Sequence, residues 1–189
     1  AVDQWNLIIT LHHIIADGWS VGILLNELLE LYEATIAQSS PSLVELPVQY
    51  TDYAIWQRQW LQGDVLESQI SYWQEKLEDV ATLNLLTDEI RPPVISWDGA
   101  YENIEINGEL TEQLNQLSQR SGVSLFMTLL SVFLVLLLRY SRQTDIAVGS
   151  PIAGRNHQEI ENLVGLFINN LVLRTDLSGN PGFDQLLRR

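Results

Sequence analysis

The sequence predicts a mixed α and β fold, on the evidence of two adjacent patterns and of the overall composition. The run from Leu7 to Leu11 is apolar and β-branched, which is typical of a buried strand. After it, apolar residues recur at helical spacing from Val21 to Tyr32. Hydrophobic residues make up 46% of the 189, which is enough for a core at a length normal for one domain.

The remaining elements follow from turn residues and from caps. Proline suits the first turn of a helix, glycine often ends one, and serine or threonine often caps one. We therefore predict a helix beginning at Pro47, a helix over 66–77, a linker at Pro92 and Pro93, a strand over 101–106, a helix capped by Thr111 and ending near Gly122, a buried helix capped by Ser124, strands over 146–151 and 167–174, and a last helix from Pro181.

The junction between the first strand and the first helix carries the strongest chemical signal, His12 and His13 followed by Asp17 and Gly18. Imidazole is the side chain best matched to proton transfer near neutral pH. Successive side chains of an extended chain point to opposite faces, so one ring is expected to face a cleft while a hydrogen bond holds the other inside. Gly18 permits a strained turn, and Asp17 or Ser20 can cap the helix, or Asp17 can pair with a distant arginine.

This junction has other interpretations. Both histidines can be satisfied core residues with Asp17 only a cap, but the combined pattern favours a function. A metal site fits less well, because zinc takes three or four protein ligands, cysteine is absent, and the only other histidine is His157. The chain has no phosphate-binding glycine loop, and Ser150 lacks the glycine spacing of a nucleophile elbow. Trp19 either lines the site or packs, whereas packing is favoured for Trp56, Trp60 and Trp73.

Charge and composition restrict the partners. The chain has 24 acidic and 10 basic residues, a net charge of −14, and no cluster of lysine or arginine that would neutralise phosphates. The absence of cysteine excludes a disulfide framework and thiol catalysis by this segment. The apolar run 126–138 is too short to cross a bilayer, and no signal peptide is evident. We expect neither nucleic-acid nor membrane binding, and a cytoplasmic location. Arg139, Arg142 and Arg155 are either solvated or part of a docking patch.

The junction also resembles the HHxxxDG signature of nonribosomal peptide synthetase condensation domains. The resemblance continues in order and covers essentially the whole chain. Its further segments are 49–57 (Q-Y-T-D-Y-A-I-W-Q), Tyr72-Trp73, Arg91-Pro92, the helix over 124–140, 146–155 (I-A-V-G-S-P-I-A-G-R) and 164–170 (V-G-L-F-I-N-N).

The resemblance implies a chloramphenicol-acetyltransferase-like fold of two lobes that meet at a tunnel. Complete condensation domains are about twice this length, so we expect an interior fragment that folds poorly and is inactive alone. Residues 1–90 would be the end of the first lobe, with the signature loop and the following helices, and 91–189 the first half of the second lobe.

The implied reaction is peptide-bond formation between a carrier-bound acyl or peptidyl thioester and the amine of a second carrier-bound aminoacyl group. The chain itself would bind no cofactor, since both substrates are carried on 4′-phosphopantetheine. The partners would be the upstream and downstream peptidyl carrier domains and an adjacent adenylation domain, in antibiotic, toxin or other secondary-metabolite biosynthesis. Three alternatives stay open: an epimerising relative, a coenzyme A-dependent acyltransferase of the same fold, and a non-catalytic docking domain.

The resemblance also assigns roles to residues. His13 would face the tunnel and either accept the amine's proton or position the amine, with His12 and Gly18 in support. Asp17 would bind an arginine that holds the loop, for which positions upstream of Ala1 are open. Asn169 would offer its amide to the tunnel, although Asn170 stands where the family commonly has threonine. Trp19 and Ser20 are candidates for the tunnel lining.

Overall fold

The structure, a computed structural model, describes residues 5–90, 92–94, 96 and 98–189. Its helices and strands alternate irregularly along the chain, as the sequence predicts for a mixed fold. The elements are α1 (Gly18–Ile36), α2 (Tyr50–Trp60), α3 (Gly63–Lys76), α4 (Gly108–Ser121), α5 (Leu125–Ser141), β1 (Asp145–Ile152), a 3₁₀ turn (Gln158–Ile160), β2 (Asn169–Asp176) and α6 (Phe183–Leu186).

The chain divides into two compact units that are discontinuous in sequence. The first unit combines Ala1–Glu75 with Gly149–Leu171, and the second combines Lys76–Val148 with Val172–Arg189. Their boundaries differ from those of the predicted segments 1–90 and 91–189. Arg91, where the second predicted segment begins, lies outside the described residues.

The first unit contains α1, α2 and most of α3. Helix α2 begins at Tyr50, three residues beyond the predicted Pro47, because Gln49 is its N-cap and the Gln49 N–H donates to Asp52 Oδ2 (2.8 Å). Helix α3 agrees with the prediction apart from an earlier start at Gly63. The core of this unit consists of Ile160, Leu163 and Phe167, with Leu46, Val48 and Tyr53 packed against them.

The second unit is built on α4 and α5. Asn107, and not Thr111, caps α4, because its Oδ1 accepts from the Leu110 N–H (2.9 Å), whereas the Thr111 hydroxyl donates to the Asn107 carbonyl (2.9 Å). Gly122 ends α4 in the left-handed region (φ 68°) and Ser124 caps α5, as predicted. The core here is formed by Leu134, Leu137, Ile146, Leu177 and Leu186.

Strands β1 and β2 pair in a two-stranded sheet, and both were predicted within about two residues of their bounds. The N–H of Leu177, just after β2, donates to the carbonyl of Thr144, just before β1 (2.6 Å). The end of one strand therefore lies beside the start of the other, and the pair is antiparallel. The last helix begins at Phe183, two residues after the predicted Pro181.

The predicted strands over 7–11 and 101–106 are wrong for this structure. Neither segment forms a strand, and apolar side chains in both are exposed, Ile8 at 86% and Ile104 at 91%. A strand requires a hydrogen-bonded neighbour, and neither segment has one among the described residues.

The predicted buried helix, α5, is buried on one face only. Leu134 and Leu137 are buried, whereas Phe126, Val132 and Leu136 are about half exposed. In the described part of the chain, no single helix is long and apolar enough to cross a bilayer, and α4 with α5 meets that test only as a pair bent by 101°.

Candidate functional site

The two histidines lie on a turn that precedes α1. The N–H of Ile15 donates to the His12 carbonyl (3.0 Å), which closes the turn, and the N–H of Ile14 donates to His12 Nδ1 (3.1 Å). Both residues are exposed, so the expected burial of one ring is not observed. His12 Nδ1 is engaged as an acceptor, whereas the His13 ring makes no hydrogen bond among the described residues.

Asp17 is the N-cap of α1, as predicted, and its carboxylate is almost completely buried (3% exposed). Its Oδ1 accepts from the Ser20 N–H (2.8 Å), the Ser20 hydroxyl (2.7 Å) and Arg155 (3.2 Å), and its Oδ2 accepts from the Phe167 N–H (3.0 Å). Burial opposes ionisation, but the hydrogen bonds from Ser20, Phe167 and Arg155 outweigh it and lower the pKa of Asp17 from 3.8 to about 2. Asp17 is therefore an anion at neutral pH, and it holds the start of α1.

Arg155 is the partner of Asp17, with only 1% of its side chain exposed. One terminal nitrogen donates to the carbonyls of Ile160 (2.6 Å) and Leu163 (2.8 Å), and the other donates to Asp17 and to the Ser20 hydroxyl (2.9 Å). The arginine of Asp17 thus lies within this chain and not upstream of Ala1. Burial also rules out both surface roles considered for Arg155, the solvated charge and the docking contact.

Ser20 joins these groups through one hydroxyl, which is fully buried. Its Oγ lies 2.9 Å from an Arg155 nitrogen, 3.0 Å from the Gly165 N, 2.7 Å from Asp17 Oδ1 and 2.8 Å from the Gly165 carbonyl oxygen. Ser20 therefore faces a closed polar contact, which differs from the expectation that it lines a tunnel. We call Asp17, Ser20, Arg155, Gly165 and Phe167 the Asp17 cluster.

Aromatic side chains enclose one side of the Asp17 cluster. The Arg155 guanidinium lies 4.1 Å from the centre of the Phe167 ring, and Tyr50 meets that ring edge-on at 5.2 Å. The Tyr50 hydroxyl donates to the Leu166 carbonyl (3.0 Å). A β-carbon on Gly165 would overlap the Tyr50 ring, so this position requires glycine. The arginine's environment is one that favours a buried, stacked guanidinium.

The other predicted residues lie beside the Asp17 cluster or apart from it. The Trp19 indole N–H donates to the Glu161 carbonyl (3.0 Å), and the side chain is half exposed. Gly18 starts α1 without a positive φ, so the predicted strained turn is not observed. Asn169 begins β2, where its Oδ1 accepts from the Asn170 N–H (2.8 Å). Among the described residues, neither the His13 ring nor the Asn169 amide hydrogen-bonds to the cluster.

Sequence reasoning missed Arg155 as the central cation. The available signal was the glycine before it, because Gly154 adopts φ 67° and a β-carbon there would overlap the Phe167 carbonyl oxygen. A glycine that must approach another segment, followed directly by an arginine, is what places the guanidinium beside Phe167. The same logic applies to Gly165, and neither glycine has that meaning without the fold.

A family model described as "Condensation domain" matches residues 1–189. The chain belongs to the condensation domain family. It is 59% identical over 180 residues to part of the linear gramicidin synthase of Brevibacillus parabrevis, and 49% identical over 188 residues to malpinin synthetase of Mortierella alpina. These alignments cover 95% and 99% of this chain but only 4% and 2% of the two matched proteins.

Solved structures agree on the fold. The SgcC5 protein from Streptomyces globisporus matches with a TM-score of 0.82 and 33% identity, and the X-domain from teicoplanin biosynthesis with 0.85 and 26%. The first condensation domain of the CDA synthetase matches with 0.79 and 21%. The chain spans about 40% of the length of each of these structures. The predicted condensation-type fold, present here in part, is confirmed.

Proposed function

We propose that this chain is part of a condensation domain that forms a peptide bond within a nonribosomal peptide synthetase. An upstream carrier would present an acyl or peptidyl thioester, and a downstream carrier would present the aminoacyl group whose amine attacks it. Family membership and the identity to gramicidin and malpinin synthetases support this reaction class. The residues that carry the reaction are argued from the site.

The observation that carries the proposal is the division of labour between Asp17 and His13. Asp17 is buried, paired with Arg155 and held at a pKa of about 2, so it is a poor proton acceptor for an amine. His13 lies four residues earlier on an exposed turn, with its ring free of hydrogen bonds among the described residues. Of the two, only His13 can meet a substrate and exchange a proton near neutral pH.

The chemistry requires little beyond what such a histidine offers. An α-amine has a pKa of about 8, so a fraction is already the nucleophilic free base at neutral pH. Attack on the thioester carbonyl forms a tetrahedral intermediate with a negative oxygen and a positive nitrogen, and loss of the thiolate then leaves the amide. A ring nitrogen of His13 would orient the amine and accept the proton that it loses.

The partners follow from this reaction. Both substrates would arrive on the 4′-phosphopantetheine arms of peptidyl carrier domains, and an adenylation domain in the same polypeptide would supply the aminoacyl group. We propose a cytoplasmic location, where that activation chemistry has access to ATP. Neither residue pattern nor charge favours a nucleic-acid partner.

The test is His13→Ala in the complete synthetase, with both carriers loaded and the carrier-bound product measured by mass spectrometry. We expect a loss of at least about 100-fold in the rate of amide formation, the lower range for a removed acid–base group. His157→Ala is the matched control, because His157 lies against Trp56 and makes no contact with the Asp17 cluster in the described residues. Near wild-type product formation by His13→Ala would reject the proposal.

A docking role is the second candidate, favoured by one comparison. The teicoplanin X-domain, whose fold this chain shares, was also solved as a complex with OxyB. A domain that only binds partners would retain carrier binding and lose no product when His13 is replaced. The same experiment therefore separates the two candidates.

A further inference from the structure

We propose that Ser20 is a positioning residue for the reaction, setting the register between the His13 turn and the segment that leads into Asn169. This inference rests on the proposed function. It concerns a residue that the sequence pattern places only as a candidate for the tunnel lining.

The geometry of one hydroxyl carries the inference. Ser20 Oγ is fully buried and accepts from the Gly165 N–H (3.0 Å) and from Arg155 (2.9 Å). Its single proton has two acceptors in range, but the Gly165 carbonyl already accepts from the Asp17 N–H (3.1 Å). The proton therefore goes to Asp17 Oδ1 at 2.7 Å. The hydroxyl then makes three hydrogen bonds, which is its full capacity.

These bonds tie two stretches of chain that are 145 residues apart in sequence. On one side, Asp17 fixes the end of the turn that carries His13, four residues earlier. On the other side, Gly165 lies four residues before Asn169, the first residue of β2. Because the Asp17 N–H and the Ser20 hydroxyl hold both backbone groups of Gly165, a shift of one stretch would move the other.

No other side chain in the Asp17 cluster makes the same set of contacts. Arg155 binds Asp17 and Ser20 but makes no hydrogen bond to Gly165 among the described residues, and Phe167 contributes only its N–H to Asp17. Loss of the Ser20 hydroxyl would leave the Gly165 N–H and one Arg155 donor without this acceptor. Buried donors without partners are displaced towards new ones, and the His13 turn would relax with them.

The test compares Ser20→Ala with Ser118→Ala in the complete synthetase. Ser118 is a matched control because it is equally buried and also bonds another hydroxyl, that of Thr128 (2.7 Å), but it belongs to the second unit. We expect both variants to lower the melting temperature, and only Ser20→Ala to lower kcat. That loss should be about tenfold, with KM for each loaded carrier unchanged within about twofold.

Ser20→Cys provides a second variant in case the alanine variant does not fold. It preserves the shape of the side chain but weakens the hydrogen bonds, so a smaller fall in kcat is expected, between wild type and Ser20→Ala. A folded Ser20→Ala or Ser20→Cys enzyme with wild-type kcat overturns the inference. If His13→Ala is also fully active, the proposed function fails too. If His13→Ala is inactive, only the role of Ser20 is rejected.

Discussion

Replacing Asp17 by asparagine tests whether its charge holds the site. Asparagine preserves the shape of the side chain, but its amide cannot accept at both positions, and an NH₂ group facing the Phe167 N–H places two donors together. The substitution also leaves Arg155 buried without its anion. Removing one partner of a buried ion pair costs about 3–5 kcal/mol of unfolding free energy.

The pKa of Asp17 provides a second magnitude for the same interaction. The difference between 3.8 and about 2 corresponds to about 2.5 kcal/mol of stability at neutral pH, at about 1.4 kcal/mol for each pH unit. Because the pKa is lower in the folded state, this stability is present above about pH 4 and is lost as the pH falls towards 2. About half of it should be gone near pH 3.

The assay is urea unfolding of the complete condensation domain, followed by tryptophan fluorescence. The difference in unfolding free energy between wild type and Asp17→Asn should stay constant from pH 7 to 5 and shrink by about 1 kcal/mol at pH 3. Asp145→Asn is the control, because Asp145 pairs with Arg174 while 37% exposed, and such pairs contribute under about 1 kcal/mol. Equal losses for the two variants would refute the reasoning.

Two further substitutions test the surroundings of the site and of α5. Gly165→Ala should cost about 1–3 kcal/mol of unfolding free energy, because the added methyl group overlaps the Tyr50 ring, whereas Gly149→Ala meets no atom and should be milder. The urea midpoints of the two variants make this comparison, and equal values would contradict it. Ser124→Ala should lose about 1 kcal/mol with the α5 cap, by the same measurement, against no change for the exposed, uncapping Ser40→Ala. A silent Ser124→Ala would mean that the cap is not needed.

Signals that act over a few residues were correctly interpreted from the sequence. Asp17 and Ser124 each bond a backbone N–H three residues ahead, and Gly122 ends α4 by its own φ. Such contacts depend on residue type and spacing alone. The antiparallel strands β1 and β2 also agree with their apolar patterns.

Signals that depend on a distant partner were missed. The segment 7–11 has the composition of a strand but no strand to pair with among the described residues. Arg155 is 138 residues from Asp17 and was interpreted as a surface charge, because no local pattern distinguishes a buried arginine from a solvated one. Ser20 was assigned to a cavity wall for the same reason.

The HHxxxDG pattern therefore combines two requirements that one side chain cannot meet. A group that exchanges protons with a substrate must reach it, as the exposed His13 does, whereas a group that fixes the loop must be buried and saturated with hydrogen bonds, as Asp17 is. Burial and the arginine make Asp17 strongly anionic and inaccessible, which removes it from proton transfer and suits it to support. The spacing of four residues between them is then the distance over which a buried anchor can restrain an exposed turn. This separation predicts different phenotypes, since loss of His13 should spare stability and remove activity, whereas loss of Asp17 should reduce both.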